Sequence, residues 1–134
     1  SVTPCDSPRS KTDCDALYPG WQSDTQLDMS QHPAGARPSS TTDGKQNCAW
    51  FWAYPEGYGE LLSWTNERIV GKDIYLTENG WCGNNTVDNE DQLWYYDSYL
   101  RQVAQQIKKG VPIIGYTAWS LLDNYEWGSF NPRF

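Results

Sequence analysis

DIYLTENGWCG, residues 73–83, sets the architecture to expect for this chain of 134 residues. Residues 74–77 are β-branched, aromatic or aliphatic, which is typical of a buried strand. A lone carboxylate, Glu78, follows them, and Asn79 and Gly80 then form a strong turn signal. The ordinary explanation is an acid that points into water at the end of a strand. Whether Glu78 has a chemical role instead depends on the elements around it.

Helical patterns flank this strand on both sides. The first helix ends at Gly71, and its buried face is expected at Tyr58, Leu61, Leu62, Thr65 and Ile69. In the second helix, Asp88 or Asn89 can cap the N-terminus and Gly110 can end it. Its buried stripe is expected at Leu93, Tyr96, Leu100, Val103 and Ile107.

A second apolar strand is expected over residues 111–119, VPIIGYTAW. Two apolar strands joined by a helix predict a parallel βαβ unit. The carboxyl ends of parallel strands meet at one edge of the sheet, where α/β folds place ligands, so Glu78 and Trp119 are expected there together.

An acid and a second tryptophan, Glu126 and Trp127, follow the second strand closely. A tryptophan face can stack on a pyranose, and a carboxylate can accept hydrogen bonds from its hydroxyls, so these residues with Trp119 suit a sugar site. The alternative is that both tryptophans pack in the core or at its rim and that Glu126 is solvated.

Composition limits the partners. The formal net charge of −7 argues against nucleic acid and anionic membrane, because both need clustered Lys and Arg. The 8 Trp and 9 Tyr offer faces that stack on flat apolar surfaces, sugar rings included, although ordinary packing explains them equally. No metal or other cofactor is expected, since the chain has no CxxC and a single histidine, His32.

An even number of cysteines suits a secreted, disulfide-bearing protein, and this chain has four: Cys5, Cys14, Cys48 and Cys82. Four cysteines permit three connectivities, and a Cys5–Cys14 bond is the local choice. Asn84 begins an NNT glycosylation sequon, which points to the same compartment. The sequence starts at Ser1 without a signal-peptide pattern, so we expect the natural N-terminus to lie upstream.

Residues 1–49 are poor in apolar side chains and rich in Ser, Thr, Pro, Asp and Gly. Within them, residues 32–47 have no usable periodicity, and a loop of this length is typically functional or disordered. We therefore expect a long irregular region over residues 1–49, followed by the βα units over residues 50–134.

Three motifs resemble the C-terminal part of glycoside hydrolase family 1, the β-glucosidase-like (β/α)8 barrels. IYLTENG is similar to the family's nucleophile strand, the seventh of the barrel, and GYTAWSLLDNYEW is similar to its eighth strand and sugar-binding loop. WFWAYPEGYGELLSW is similar to the stretch that enters the helix before strand seven, and GWQSD is a looser match to the loop after strand six. The resemblance implies an α/β fold: strands 7 and 8 of a TIM barrel with flanking helices, after a long N-terminal loop.

By motif position, the resemblance implies that Glu78 is the catalytic nucleophile of a retaining β-glycosidase, with a β-glucosidase expected. Trp119 would be the platform under the sugar, Glu126 would bind hydroxyls at its far end, and Trp127 would donate its indole N–H to a hydroxyl. Phe134 matches an aromatic residue near the same subsite, although the loop before it is shorter than the family's usual spacing. The implied substrate is a small β-glycoside or oligosaccharide.

A retaining glycosidase needs a second carboxyl group about 5–5.5 Å from the nucleophile. In the family this acid/base lies in an Asn-Glu-Pro motif at the end of strand four, and this chain contains no such motif. A whole barrel takes about 250 residues. We therefore expect an incomplete fragment that needs the remainder of the barrel and is inactive by itself. The alternatives are a non-catalytic carbohydrate-binding or receptor-like barrel and a remnant without function.

Overall fold

The computed structural model describes residues 32–39, 48, 51–83, 88–126 and 134. The chain divides into two compact units, residues 1–34 and 35–134, and nearly all of the described residues belong to the second. That unit contains, in order, β1 (Arg37–Pro38), β2 (Trp52–Ala53), α1 (Pro55–Arg68), β3 (Ile74–Gly80), α2 (Glu90–Lys108) and β4 (Ile113–Trp119). Neither helix in these ranges is long and apolar enough to cross a membrane.

Strands β3 and β4 form a parallel pair connected through α2, which confirms the predicted βαβ unit. Their register pairs Ile74 with Ile113 at one end and Gly80 with Trp119 at the other. The candidate nucleophile strand and the candidate sugar-binding strand are therefore direct neighbours, with their carboxyl ends at the same edge.

Strand β3 is longer than the apolar run that predicted it. The prediction ended at residue 77, whereas β3 continues through Glu78, Asn79 and Gly80. Asn79 pairs with Ala118, so hydrogen bonding to β4 overrides the local turn signal of the Asn-Gly sequence. Glu78 thus lies within the strand rather than beyond its tip.

Helix α1 has proline at its first turn and buries Pro55, Gly59 and Leu62. The prediction was correct for Leu62 but wrong for Leu61 and Ile69, which are 53% and 49% exposed. Gly59 faces α2, where an added Cβ would collide with the side chain of Gln102. Helix α1 therefore packs its Gly59 side, and not its Leu61 side, against α2.

Helix α2 is capped as predicted, because the Asn89 side chain accepts a hydrogen bond from the Gln92 N–H at 3.2 Å. Its buried face differs from the predicted stripe, and consists of Tyr95, Tyr99, Val103 and Gln106. Only Val103 is shared with that stripe, whose Leu93, Leu100 and Ile107 are exposed. The helix is rotated because its two tyrosines bury large rings against β2 and the end of β3.

The core is an aromatic cluster beside the carboxyl end of β3. Trp81, fully buried, stacks on Tyr95 with ring centroids 5.0 Å apart, and Tyr95 stacks on Tyr99 at 4.1 Å. Ala53 completes the buried set. Since Trp81 follows Glu78 by three positions, this buried aromatic cluster adjoins the candidate site.

A disulfide joins Cys48 to Cys82, which is one of the three connectivities left open by the sequence. Both cysteines are buried, and the Ser39 hydroxyl donates to the Cys82 carbonyl oxygen at 2.6 Å. The predicted partner pair, Cys5 and Cys14, lies outside the described residues. The bond ties the segment after β3 to the region around β1 and β2.

The short strands β1 and β2 are antiparallel, with Arg37 opposite Ala53 and Pro38 opposite Trp52. The sequence did not predict β1, which falls inside the region expected to be irregular. Arg37 forms an ion pair with Asp91 at the start of α2 and lies over the Trp94 ring, 4.2 Å from its centroid. The expected boundary between residues 49 and 50 stays a prediction.

Candidate active site

Glu78 occupies an irregularity in the sheet. Leu76 pairs with Tyr116 and Asn79 pairs with Ala118, so two residues of β3 lie opposite one of β4. An extra residue in one strand is the pattern of a β-bulge, and bulges re-aim side chains near functional sites. Thr77 and Glu78 are both exposed, so the bulge presents the Glu78 carboxylate to solvent.

Asn79, the next residue, is held from two sides. The Tyr116 hydroxyl of β4 donates to Asn79 Oδ1 at 2.7 Å, and Asn79 Nδ2 donates to the Tyr95 hydroxyl of α2 at 2.9 Å. The amide therefore connects the two strands to the helix between them. The sequence motif singled out Glu78 and treated Asn79 only as a turn residue, so this function of its side chain was missed.

The two tyrosines that hold Asn79 stay neutral. Burial raises the pKa of Tyr95 far above its ordinary value, and the neighbouring Tyr99 raises it further. Burial likewise raises the pKa of Tyr116, as do Tyr96 and other tyrosines nearby. Both hydroxyls therefore keep their protons at neutral pH, so the bonds to Asn79 do not change with small changes of pH around neutrality.

Gly80 allows the two strand ends to come together. A Cβ added at this position would collide with the carbonyl oxygen of Trp119, which is its register partner. The carbonyl also accepts a hydrogen bond from the Tyr96 hydroxyl at 2.9 Å. The glycine of the TENG sequence is therefore required by close backbone packing between β3 and β4.

Trp119 and Glu126 are in direct contact. The indole Nε1–H of Trp119 donates to Glu126 Oε1 at 2.8 Å, and both side chains are half-buried. The bond holds a carboxylate with further acceptor capacity beside an aromatic face at the end of β4. The two residues therefore lie together at the end of β4, next to the strand that carries Glu78.

The remaining predicted site residues have different outcomes. The Phe134 ring packs edge-on against Phe51 with centroids 5.7 Å apart, and Phe51 in turn lies 5.3 Å from the Trp81 ring. Phe134 thus joins the aromatic cluster beside the site, and its contact with a sugar stays a prediction. Trp127 and Asn84 lie outside the described residues.

No metal site is found in the ranges that the structure describes, where no three His, Cys, Asp or Glu residues are grouped as ligands. The described residues nevertheless bring together Glu78, Trp119 and Glu126 at one sheet edge, with Phe134 in the adjoining cluster. The exposed Glu78 carboxylate can act as a nucleophile at this edge, and the Trp119 indole with the Glu126 carboxylate can bind a polyhydroxylated molecule.

Comparisons with known proteins agree with this chemistry. The sequence profile of glycosyl hydrolase family 1 matches residues 17–134. Beta-glucosidase 42 of Arabidopsis thaliana is 36% identical over 94 residues, which are 63% of this chain and 19% of that protein. The crystal structure of the rice Os3BGlu6 beta-glucosidase aligns with a TM-score of 0.60 at 34% identity, over 66% of this chain and 20% of the other.

A further solved structure is that of the virulence factor SghA with its substrate analog salicin. It aligns with a TM-score of 0.60 at 37% identity, over 78% of this chain and 23% of the other. The chain therefore spans less than a quarter of the length of each of these three relatives.

Proposed function

The chain belongs to glycosyl hydrolase family 1, and we propose that it supplies the nucleophile and part of the sugar-binding surface of a retaining β-glucosidase. The observation that carries the proposal is the position of Glu78. It lies exposed in a bulge at the carboxyl end of β3, one strand away from the bonded Trp119–Glu126 pair. The names of the Arabidopsis and rice relatives support β-glucosides as the substrate class.

In the proposed reaction, Glu78 attacks the anomeric carbon of a bound β-glucoside. A covalent glycosyl-enzyme forms while the bond to the leaving oxygen breaks, and a second carboxyl group protonates that oxygen. The same second group then deprotonates a water molecule, which attacks the anomeric carbon and releases Glu78. Two inversions at one carbon give overall retention.

Trp119, Glu126, Trp127 and Phe134 are proposed to hold the sugar. The indole of Trp119 offers a flat apolar face for the ring. Glu126, already bonded through one oxygen, has remaining lone pairs for hydroxyls of the sugar. Trp127 is assigned an indole hydrogen bond and Phe134 a flanking contact by their positions in the family motif. Trp119→Ala is accordingly expected to weaken glucoside binding.

The acid/base and the other barrel strands are proposed to come from a longer protein that contains this chain. The short span relative to the relatives supports this proposal. Sequencing the source transcript upstream of Ser1 tests it. An Asn-Glu-Pro strand end is the expected finding, and another residue in place of that Glu would favour the non-catalytic carbohydrate-binding barrel.

The nucleophile assignment is tested with the full-length protein and its Glu78→Gln variant. A 2-deoxy-2-fluoro-β-glucoside with a good leaving group should label the wild type covalently, because it slows release of the glycosyl-enzyme. Peptide mass spectrometry should locate the label on Glu78. Glu78→Gln should lose both labelling and hydrolysis, by at least ~10⁴-fold, since its amide is a poor nucleophile.

Glu60→Gln provides the matched control, because Glu60 is an exposed glutamate of α1 on the same chain. It should keep wild-type rates. Full hydrolysis by Glu78→Gln would contradict the assignment, as would a label on another carboxylate. A wild-type protein that binds β-glucosides without hydrolysing them would instead identify a binding barrel.

Passage through the secretory pathway is also proposed, with Asn84 as a glycosylation site. The buried Cys48–Cys82 disulfide supports an oxidising compartment. Mass spectrometry of the protein isolated from its source should find a glycan on Asn84 and an intact Cys48–Cys82 peptide pair. A free thiol at Cys82 in that protein would count against the assignment.

A further inference from the structure

We propose that Asn79 is a positioning residue that aims Glu78, acting through the hydrogen bonds of its side chain to Tyr95 and Tyr116. The inference rests on the proposed role of Glu78 as the nucleophile. It adds a residue to the machinery that does not touch the substrate.

The first support is that the Asn79 side-chain amide is hydrogen bonded at both ends, as an acceptor at one and as a donor at the other. Oδ1 accepts from Tyr116 at 2.7 Å and Nδ2 donates to Tyr95 at 2.9 Å. Tyr116 lies 37 positions away on β4, and Tyr95 lies 16 positions away on α2. The amide supplies an acceptor for Tyr116 and a donor for Tyr95, so Tyr95 keeps its own proton for the bond to Tyr99, which a leucine of similar size would not allow.

The second support is that the bonds continue into the fold. The Tyr95 and Tyr99 hydroxyls are hydrogen bonded to one another, and Tyr99 accepts the Tyr54 N–H at 2.9 Å. Tyr54 is the residue from which α1 begins. The network therefore joins β4, β3, α2 and the start of α1, and connected buried networks of this kind restrict the positions of their members.

The third support is the location of the anchored residue. Asn79 follows the bulge directly, and Thr77 and Glu78 are exposed whereas Asn79 is half-buried. A bulge leaves a residue without a ladder partner, so the strand needs another restraint at this point. The hydrogen bonds of Asn79 on the side of β3 that faces α2 therefore fix the strand backbone. The same backbone carries Glu78 on the exposed side.

The expected consequence concerns orientation of the nucleophile rather than affinity for the sugar. A catalytic group must be held within roughly 0.5 Å of its productive position, and a displacement of about 1 Å can cost ~100-fold in rate. Loosening Asn79 should therefore lower the rate of glycosyl-enzyme formation. Binding of the sugar by Trp119 and Glu126 should change little, because neither side chain bonds to Asn79.

The experiment uses the full-length protein with Asn79→Ala, Tyr95→Phe and Tyr116→Phe. The two phenylalanine variants keep the rings packed and each removes one hydroxyl. We expect kcat and the rate constant of fluoroglucoside labelling to fall ~3–10-fold in each phenylalanine variant and ~10–100-fold in Asn79→Ala, with KM within about 2-fold of wild type. Adding Tyr95→Phe to Asn79→Ala should cause little further loss, because both act on one bond.

Tyr75→Phe is the matched control. It removes a tyrosine hydroxyl from the same strand, but that hydroxyl lies 3.4 Å from Thr117 Oγ1 and does not reach Asn79. The control should keep wild-type kcat. Rates should be measured well below the midpoint of thermal unfolding, so that a loss of folded protein is not read as a loss of orientation.

Two results would overturn the inference. One is wild-type kcat and labelling in Tyr95→Phe and Tyr116→Phe, which also decides the matter if Asn79→Ala does not fold. The other is an equal loss in Tyr75→Phe, which would indicate general weakening of the strand. Full activity in Glu78→Gln would instead refute the proposed function itself, so the two failures are distinguishable.

Discussion

At the carboxyl end of β3, the side that carries Asn79 is packed and bonded, whereas the side that carries Glu78 is open to solvent. On the packed side, Trp81 and Tyr95 are buried with 0% and 4% of their surface exposed, and a disulfide and a hydrogen bond hold Cys82. On the open side, Thr77 and Glu78 are exposed. The strand end thus separates its supporting contacts from its reactive group.

Among the described residues, the Glu78 carboxylate is thus held by the strand that carries it without being buried. Burial would disfavour the ionised form that a nucleophile needs, because a charge loses hydration in an apolar environment. Instead, the fold restrains the three residues that follow Glu78. These restraints orient the strand from the side opposite the carboxylate. Variants of the packed side are therefore expected to reduce stability, and variants of the open side are not.

The largest effect on stability is expected from Trp81→Ala. The substitution removes a fully buried indole that stacks on Tyr95 and meets Trp94 and Phe51 edge-on or tilted. The free energy of unfolding of the full-length protein should fall by about 3–5 kcal/mol, as measured by urea denaturation.

Trp81→Phe tests the chemical origin of that loss. Within the described ranges no acceptor reaches the buried Trp81 Nε1, so phenylalanine keeps an aromatic ring and removes an unsatisfied donor. Trp81→Phe should lower the free energy of unfolding by well under half as much as Trp81→Ala. Equal costs for the two variants would show that the polar atom matters more than the packing.

Removal of the Cys48–Cys82 disulfide is expected to have the next largest effect. The two cysteines are separated by 34 positions, and closing a loop of this length stabilises a folded chain by about 4 kcal/mol. The Cys48→Ser/Cys82→Ser protein should unfold at correspondingly lower urea. Dithiothreitol should destabilise the wild type similarly but leave the double variant unchanged, and a further loss in the variant would point to another bond.

Gly80→Ala should cost about 2 kcal/mol, because its Cβ meets the Trp119 backbone rather than a flexible side chain. It should also lower activity, since Trp119 would be displaced. Gly59→Ala is the comparison: its Cβ meets the movable end of Gln102, and alanine favours the helix. A loss as large at residue 59 as at residue 80 would contradict a special need for glycine between the strands.

The smallest effects should come from two arginines. Arg37→Gln breaks an ion pair with the largely buried Asp91 and removes a cation from the Trp94 face, so a loss of about 1 kcal/mol is expected. Arg101→Gln breaks an exposed pair on α2 and should leave the unfolding midpoint unchanged.

A local readout confirms that the exposed pair was broken. The hydrogen bond from Arg101, aided by its charge, holds the pKa of Asp97 below its usual range. NMR titration should show that pKa returning toward its ordinary value in Arg101→Gln. Any stability that the pair contributes is present above the ordinary Asp pKa and declines as the pH falls through the lowered one.

Several elements could be predicted because their signals are local. The apolar runs predicted both long strands, the acidic first turn and Asn89 predicted the start of α2, and the glycines near residues 71 and 110 predicted the helix ends. Both glycines have positive φ, 70° and 92°, which explains why a residue without a Cβ stands there. The parallel order followed from the succession of the elements.

The faces of the helices were not predictable in the same way. Leu93, Leu100 and Ile107 have the right spacing for a buried stripe, yet they are exposed in the described structure. Tyr95 and Tyr99 are buried instead, because they meet Trp81 and Ala53 from other parts of the chain. A helical period shows that one face is apolar, but only the neighbouring element determines which face is covered.

The sequence by itself determined the order of the elements, the parallel βαβ unit, the family and the short list headed by Glu78 and Trp119. Tertiary structure alone decided that Cys48 bonds to Cys82, that β3 extends past Glu78 and that Asn79 is held by Tyr95 and Tyr116. The physical reason is range. Helix and strand periods, caps and stops act over a few residues, whereas these bonds join groups 16 to 37 positions apart, which meet only when the chain has folded.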